Sequence, residues 1–346
     1  MSLQVFSLNE SKKWDDIVCS FKEHDVYWLS GYVKAFRIHG DGEPLLFYYE
    51  NNNIRGINVV MKRDVSSDIH FNGVLKENTF FDFSTPYGYG GWLIEGEYTK
   101  DLFNDYFFWC KENGIISEFV RYHPVISNQS YSKDDYVIID LGHTVALDLA
   151  SEEVIWSNIT SKNRNMIRKA QKSGVEIIHN NDEELYEKFR EIYDATMLHD
   201  NADEYYFFKS DFYKSICKDL SNNAELFCAV YNEEIIASSI MIFANDRLNY
   251  HLSGSKFEYR NLAPSNLLLY EAALWGMKKG FKTFHLGGGV GSGEDNLYKF
   301  KKSFYRKDDV YQFSIGNKIF DKEKYLKLVS MRKDIKNENY FPLYRG

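Results

Sequence analysis

The sequence LFCAVYNEEIIASSIMIF, residues 226–243, consists of two apolar runs on either side of the polar turn Asn232-Glu233-Glu234. Apolar runs rich in aromatic and β-branched residues, joined by a short polar turn, are typical of a β-hairpin. A third apolar run, Leu248 to Ser253, follows a second polar turn at residues 245–247. The pattern therefore predicts three consecutive antiparallel strands.

An amphipathic helix and one more strand are predicted directly after these three strands. The helical pattern runs from Ser265 to Lys279, and Gly280 supplies the left-handed residue that commonly ends a helix. The apolar run from Phe281 to Leu286 then predicts a strand. Strands, a helix and a further strand together indicate an α/β unit with a mixed sheet.

The same order of elements occurs once more, earlier in the chain. Its members are two apolar runs, a helical pattern, a glycine and a strand: Leu45–Tyr49, Ile54–Met61, Leu102–Asn113, Gly114 and Ile115–Arg121. We therefore expect an α/β fold of two tandem domains, residues 1–142 and 143–346. Each domain should be a mixed, mostly antiparallel sheet flanked by helices.

Composition and charge restrict the classes of function. The chain has 346 residues, 44% hydrophobic and 17% aromatic, which suits two folded domains. A net charge of -8 argues against DNA as a partner, so any polyanion site must be a local basic patch. The four cysteines lack metal-ligand spacing, and no metal site is expected. Without a signal-like N-terminus or an apolar run of about 18 residues, we expect a cytoplasmic protein with no transmembrane segment.

Several segments resemble the GNAT acyltransferase superfamily, in which acyl-CoA binds between two splayed strands. In chain order they are YHLSGS at 250–255, the helix at 264–280, FHLGGG at 284–289 and LYKFKKSF at 297–304. Two such domains in one chain resemble the Fem family, the aminoacyltransferases that build peptidoglycan cross-bridges. TPYGYGG at 85–91 and SEFVRYHP at 117–124 are similar to segments of relatives of that family, so the resemblance spans nearly the whole chain.

The resemblance implies two GNAT-like domains, the first on the acceptor side and the second on the acyl-donor side. The implied activity is transfer of an acetyl or aminoacyl group to an amino group of a cell-envelope precursor. Such a precursor is a nucleotide- or lipid-linked sugar or a peptidoglycan stem peptide. A catalytically inactive protein that binds a sugar nucleotide or glycan is the alternative.

The donor stays open between an acyl-CoA, such as acetyl-CoA, and aminoacyl-tRNA. The sequence lacks the heptad-patterned coiled-coil arm of some Fem enzymes, which makes a tRNA partner less secure. It also has KFEYRNLA at 256–263 in place of the basic-x-x-Gly-x-Gly loop with which GNAT enzymes bind pyrophosphate. The first difference argues against aminoacyl-tRNA as the donor, and the second argues against acyl-CoA.

Three residues of the second half are candidate catalytic groups. Lys301 matches the lysine that the family places in its cleft, where a cation stabilises the oxyanion formed during amide synthesis. Tyr298 is a candidate acid for a departing thiolate, as a tyrosine near this helix is in many GNAT enzymes. His285 is a candidate base. The alternatives are a solvated basic face, a packing tyrosine and a hydrogen-bonded structural histidine.

The predicted donor site lies at the helix that starts at Pro264. The amides of Ser265 and Asn266 would bind an anion there, and Arg260 and Lys256 would add positive charge. The remaining members are three glycines that follow a strand and allow close approach of backbone to ligand: Gly287, Gly288 and Gly289. The alternatives are a helix start that serves core packing and a surface linker.

The predicted acceptor site draws on both halves. Arg164 and Arg168 share one face of a predicted helix within residues 161–173, a segment with five basic residues and no acidic one. That face suits the phosphates of a nucleotide- or lipid-linked precursor, or it is ordinary solubilising charge. The other candidates lie around a Gly-rich loop and a strand end of the first half: Asp82, Tyr87, Tyr89, Arg121 and His123.

Overall fold

The computed structural model describes residues 3–51, 53–97 and 100–346. The chain divides into two compact units, Met1–Leu141 with Phe313–Gly346, and Gly142–Gln312. The predicted α/β class, with mixed and mostly antiparallel sheets flanked by helices, is confirmed. Within the described residues, no helix is long and apolar enough to cross a membrane.

The strands and helices have the following bounds. The strands are β1 (Leu3–Phe6), β2 (Glu43–Glu50), β3 (Ile54–Asp64), β4 (Phe81–Ser84), β5 (Leu93–Gly96), β6 (Ile115–Arg121), β7 (Val137–Asp148), β8 (Glu176–Asn180), β9 (Ala224–Tyr231), β10 (Glu234–Ala244), β11 (Arg247–Ser255), β12 (Thr283–Gly287) and β13 (Tyr311–Ile319). The α-helices are α1 (Ser11–Cys19), α2 (Ser30–His39), α3 (Lys100–Glu112), α4 (Glu152–Asn158), α5 (Ser161–Lys172), α6 (Glu183–His199), α7 (Ser210–Asp219), α8 (Pro264–Lys278), α9 (Asn296–Lys302) and α10 (Lys322–Met331).

The sheet of the first unit has the strand order β1-β2-β3-β4-β6-β13, with β5 paired to β3. Its pairs are antiparallel except β4 with β6, which run parallel on either side of α3 in sequence. Helix α3 packs on this sheet through Leu102 and Tyr106, which lie in one buried cluster with Phe47 and Phe83. The predicted hairpin of the first half is the pair β2–β3.

Residues 313–346 belong to the first unit, whereas the sequence pattern had assigned everything after residue 142 to the second domain. Strand β13 pairs antiparallel with β6, from Ile315 with Arg121 to Ile319 with Ser117. Helix α10 then buries Tyr325 and Leu328 in a small cluster with residues of the first unit. The C-terminal segment joins the first unit because β13 pairs with β6 at the edge of the first sheet. Local periodicity cannot predict a pairing between strands so far apart in sequence.

The sheet of the second unit has the strand order β7-β12-β11-β10-β9-β8. The predicted hairpin is β9–β10, and the predicted third strand is β11. Helix α8 starts at Pro264, is followed by Gly280 at φ +88°, and buries Leu268 and Ala272. A helix that is apolar on most of its surface must lie in a core, and α8 packs with Phe227 and other residues of the sheet in the buried cluster of this unit.

Candidate active site

A break in the pairing of β11 organises the candidate site of the second unit. Strands β11 and β12 pair in parallel from Arg247 with Thr283 to Asn249 with His285. Just beyond that point β11 bulges, because Leu252 faces Ile240 of β10 while Tyr250 faces Met241, so His251 is the extra residue. A bulge bends its strand and increases the local twist. The last residues of β11 thus continue past the region where it pairs with β12.

Lys301 reaches this place from α9. The helix is capped by Asp295, whose Oδ1 accepts a hydrogen bond of 2.8 Å from the amide of Tyr298. Lys301 Nζ donates to the carbonyl oxygen of Gly288 at 2.7 Å and lies 5.7 Å from the ring centroid of Tyr250. With 8% of its surface exposed, Lys301 is a buried cation beside Gly288, which follows β12, and Tyr250 of β11.

Burial also sets the proton affinity of this lysine. Desolvation lowers the pKa of Lys301 from 10.5 to about 8, although Asp295 acts in the opposite direction. With a pKa near 8, roughly nine-tenths of the side chains carry a proton at pH 7. A buried ammonium that is still charged at neutral pH can stabilise a developing oxyanion, and it can yield its proton within a unit of physiological pH.

The ε-carbon signal of Lys301 is therefore expected to titrate near pH 8, well below the other lysines. In ¹³C-lysine-labelled protein, the signal missing from Lys301→Arg identifies the residue. Because the native pKa is lower than the unfolded value, the unfolded state binds more protons between about pH 8 and 10.5, and the free energy of unfolding contributed by Lys301 rises across that window. A midpoint near the ordinary lysine value of about 10.4 would contradict the buried position.

Tyr298 precedes Lys301 by three residues on α9, His285 lies in β12, and both side chains are buried. Tyr298 follows the cap of α9 and belongs to the hydrophobic cluster of the second unit. Burial raises its pKa, and Glu294 adds to the effect, so the phenol stays protonated and able to donate. His285 lies inside β12 opposite Asn249 and is 2% exposed. Their roles as acid and base stay predictions.

His251 is a residue that sequence reasoning missed. It stands at the bulge of β11, and burial of its ring lowers its pKa to about 3, so the imidazole is neutral at pH 7. The segment YHLSGS reads as an ordinary alternating strand, and nothing in it signals that two residues oppose one on β10. The bulge arises from the pairing of distant segments.

Gly287, the last residue of β12, and the two glycines that follow it are each required for a different structural reason. Gly287 has φ +77°, a conformation that side chains rarely adopt. A Cβ at Gly289 would lie 2.2 Å from the carbonyl oxygen of Gly293 and 2.3 Å from Asp295 Oδ1, so the loop folds tightly on itself there. Gly288 presents its carbonyl to Lys301. The loop is thus a fixed support for Lys301 as well as a candidate contact for ligand.

The helix start at Pro264 offers fewer free donors than predicted. The amides of Asn266 and Leu267 already bond to the carbonyl oxygen of Ala263 at 3.2 and 3.4 Å. The side-chain amide of Asn266 donates to Asn163 Oδ1 of α5 at 2.8 Å. Ser265, which is partly exposed in the first turn, remains a candidate for anion contact.

The two predicted cations near this helix differ in availability. Lys256 Nζ forms an ion pair with Glu234 of β10, and the hydroxyl of Tyr259 donates to the same carboxylate at 2.6 Å. Lys256 thus has a local ion-pair partner, and its role in phosphate binding stays a prediction. Arg260 is exposed, and its guanidinium lies 4.0 Å from the ring centroid of Phe257.

The paired arginines of α5 also differ. Arg164 donates from Nη1 to the carbonyl oxygens of Ile159 at 2.8 Å and Trp156 at 3.3 Å, which satisfies the end of α4. Arg168 is exposed, and its guanidinium lies 5.1 Å from the ring centroid of Trp156. Arg164 therefore has a structural function, and Arg168 is the more available of the two predicted acceptor contacts.

Asp82 is a structural residue of the first unit. It is fully buried, with Oδ1 2.6 Å from Arg63 Nε and Oδ2 2.6 Å from Arg345 Nε, and it accepts a hydrogen bond from Tyr344. Burial alone would raise the pKa of Asp82, but Arg63 and Arg345 outweigh it and the pKa is lowered. The predicted acceptor role is corrected, because this carboxylate is 0% exposed and is bonded to groups of its own unit.

His123 is likewise held inside the first unit. Its Nδ1 accepts a hydrogen bond from the amide of Ile126 at 3.3 Å, which places the proton on Nε2. Nε2 then donates to Asp25 Oδ2 at 3.1 Å, and both side chains are fully buried. This arrangement explains the histidine as a structural group, a correction to its predicted acceptor role.

Tyr87, Tyr89 and Arg121 do come together around the Gly-rich loop. Arg121 Nε donates to the carbonyl oxygen of Gly88 at 3.0 Å, and its guanidinium lies 5.0 Å from the ring centroid of Phe313. Tyr89 contacts Phe313 edge-on at 5.8 Å, and burial raises its pKa to about 12. All three predicted residues are partly exposed, so they remain candidates for acceptor binding.

The described residues contain no group of three or more His, Cys, Asp or Glu side chains placed to hold a metal ion. A GNAT acetyltransferase domain model matches residues 159–302. These residues lie in the second unit, from just after α4 to the end of α9, and include Lys301. A search of curated proteins found no significant match.

Solved structures extend the likeness to nearly the whole chain. FemX aligns with a TM-score of 0.68 at 13% identity, covering 94% of this chain and 99% of FemX. L-PGS from Bacillus licheniformis aligns at 0.53 and 14% identity, over 87% and 90% of the two chains. The C-terminal domain of a putative lysylphosphatidylglycerol synthetase from Agrobacterium fabrum gives 0.56 and 13%, over 90% and 92%. The chain is therefore an acyltransferase that carries a GNAT domain and has a Fem-like fold.

Proposed function

We propose that the chain transfers an acetyl or aminoacyl group to an amino group of a cell-envelope precursor in the cytoplasm. The observation that carries the proposal is Lys301, a buried cation bonded to Gly288 beside the bulge of β11 and inside the matched GNAT segment. Amide synthesis develops negative charge on a carbonyl oxygen, and a preorganised ammonium stabilises that charge.

The reaction proposed for an acyl-CoA donor balances with the groups present. The neutral amine of the acceptor attacks the thioester carbonyl, the C–N bond forms, and Lys301 stabilises the oxyanion. The C–S bond then breaks, and the departing thiolate takes a proton from Tyr298, whose buried phenol remains protonated at neutral pH. The excess proton of the amine passes to solvent, and Tyr298 regains a proton from solvent before the next turnover. With aminoacyl-tRNA as donor, an ester C–O bond breaks in place of the thioester.

The proposed acceptor class rests on charge and on the related structures. Arg168 is an exposed cation stacked near Trp156, an arrangement that suits a phosphate beside a planar or apolar group. One related structure is named for lysylphosphatidylglycerol, a lipid that carries an aminoacyl group. We assign nucleotide- or lipid-linked sugars and peptidoglycan stem peptides to the acceptor side.

Acetyl-CoA is expected to bind the second unit weakly, and Arg260→Ala is expected to raise its Kd about tenfold. Arg260 is the exposed cation before α8, and loss of a charge-assisted contact to phosphate is worth about 1.4 kcal/mol or more. Isothermal titration at low salt measures both constants, since screening is least there.

Lys279→Ala is the matched control, because Lys279 is an exposed cation at the opposite end of the same helix. Its Kd should equal that of the wild type. If acetyl-CoA gives no heat while an aminoacyl-tRNA supports transfer, the donor is aminoacyl-tRNA and the CoA proposal fails.

A further inference from the structure

We propose that an open cavity in the first unit is a carbohydrate-binding site. The cavity has a volume of about 670 Å³ and is formed by the end of α2, strands β1 to β4 and the end of α3. Small-molecule sites in proteins are typically about 300 to 1,000 Å³, so this space accommodates a ligand of one or two sugar rings.

Two aromatic side chains form the apolar part of the cavity, Trp109 of α3 and Phe81 of β4. The indole of Trp109 is anchored edge-on against Phe47, with ring centroids 4.8 Å apart, and stacked on Phe83 at 6.5 Å. The residue is nevertheless only partly buried. An anchored aromatic ring with a negative π face packs well against the polarised C–H groups of a pyranose.

The polar part of the cavity carries both signs of charge and two amides. These residues are Arg37, Glu43, Lys62, Asp64, Asn78 and Asn113. The two positive and two negative charges give the lining no net charge, and Arg37 Nε pairs with Glu43 Oε1 at 2.8 Å. A phosphate or a coenzyme would meet carboxylates here, whereas an uncharged polyhydroxyl ligand can use donors and acceptors side by side.

The ammonium of Lys62 is the group in the cavity best placed to donate a hydrogen bond to a ligand oxygen. Its side chain is half-buried, and Nζ lies 3.7 Å from the ring centroid of Phe81. Burial lowers the pKa of Lys62, although Asp64 opposes this. The aromatic ring is a weak partner for an ammonium compared with an oxygen, so the N–H groups of Lys62 can still donate to a ligand. A sugar hydroxyl or ring oxygen would accept that hydrogen bond.

Titration with two neutral disaccharides, N,N′-diacetylchitobiose and maltose, tests the site. We expect saturation-transfer NMR and calorimetry to show binding of at least one of them. Lys62→Met should raise the Kd about tenfold, since a hydrogen bond to a charged donor is lost. Trp109→Leu should abolish the transfer signal, and its thermal melting shows whether the variant is folded.

Lys12→Met is the matched control, because Lys12 is an exposed lysine of the same unit outside the cavity lining. It should leave the Kd unchanged. The proposal is overturned if neither sugar binds, if Lys62→Met binds as tightly as the wild type, or if uridine monophosphate competes and the sugars do not. None of these measurements requires acyl transfer, so the proposed function stands or falls separately.

Discussion

Replacing Lys301 with alanine is expected to lower turnover by roughly 100-fold or more, as loss of a preorganised oxyanion donor does in other enzymes. Lys301 Nζ is the buried cation held by Gly288 O, and the alanine variant has no group to take its place. Folding should survive, because removing a buried charge also removes its desolvation cost. Steady-state kinetics measure turnover, and thermal melting verifies the fold.

Lys299→Ala provides the matched control for that experiment. Lys299 lies on the same short helix but is exposed, so its loss should change turnover by no more than about twofold. Equal turnover in Lys301→Ala and the wild type would remove Lys301 from the mechanism.

Replacing Asp82 with alanine is expected to lower the free energy of unfolding by about 3–5 kcal/mol, the usual effect of breaking a buried ion pair from one side. Arg63 and Arg345 would both lose their shared carboxylate, and the hydroxyl of Tyr344 would lose its acceptor. Arg345 keeps its pair with Asp68, which limits the loss. Urea denaturation followed by circular dichroism measures the difference.

Glu43→Gln is the control for Asp82→Ala, since it also removes a carboxylate from an arginine. The pair of Glu43 with Arg37 is largely exposed, and such pairs contribute about 0–1 kcal/mol. If Asp82→Ala costs no more than this control, the buried network does not stabilise the first unit and a ligand role for Asp82 returns.

The fold could be predicted from the sequence wherever local patterns determine it. The runs on either side of Asn232-Glu233-Glu234 became β9 and β10, and the helix before Gly280 became α8. The return of β13 to β6 could not be predicted in this way. Strand β13 is an ordinary nine-residue strand, and its partner lies far away in sequence, so periodicity says nothing about which sheet it joins.

The candidate site likewise has residues that the sequence could identify and residues that it could not. Lys301 was placed by its resemblance to a family lysine, and the structure adds the contact with Gly288 that holds it. Asp82 looked like a loop carboxylate available to a ligand, because Arg345, its ion-pair partner, is 263 residues away. Candidate catalytic and binding residues can be identified from their residue type and their order in the sequence. Whether their side chains are exposed to a ligand depends on packing between distant segments.

The most direct test of the central claim is a transfer assay with labelled donors. Acetyl-CoA and, in parallel, aminoacyl-tRNA would be offered with a nucleotide-linked muramoyl peptide that carries a free amine, and the product would be examined by mass spectrometry. We predict that one donor labels the acceptor through a hydroxylamine-resistant amide, and that Lys301→Ala abolishes most of this labelling. Failure of both donors to label that amine, or labelling of a hydroxyl as an ester, would contradict the proposed amine acyltransferase.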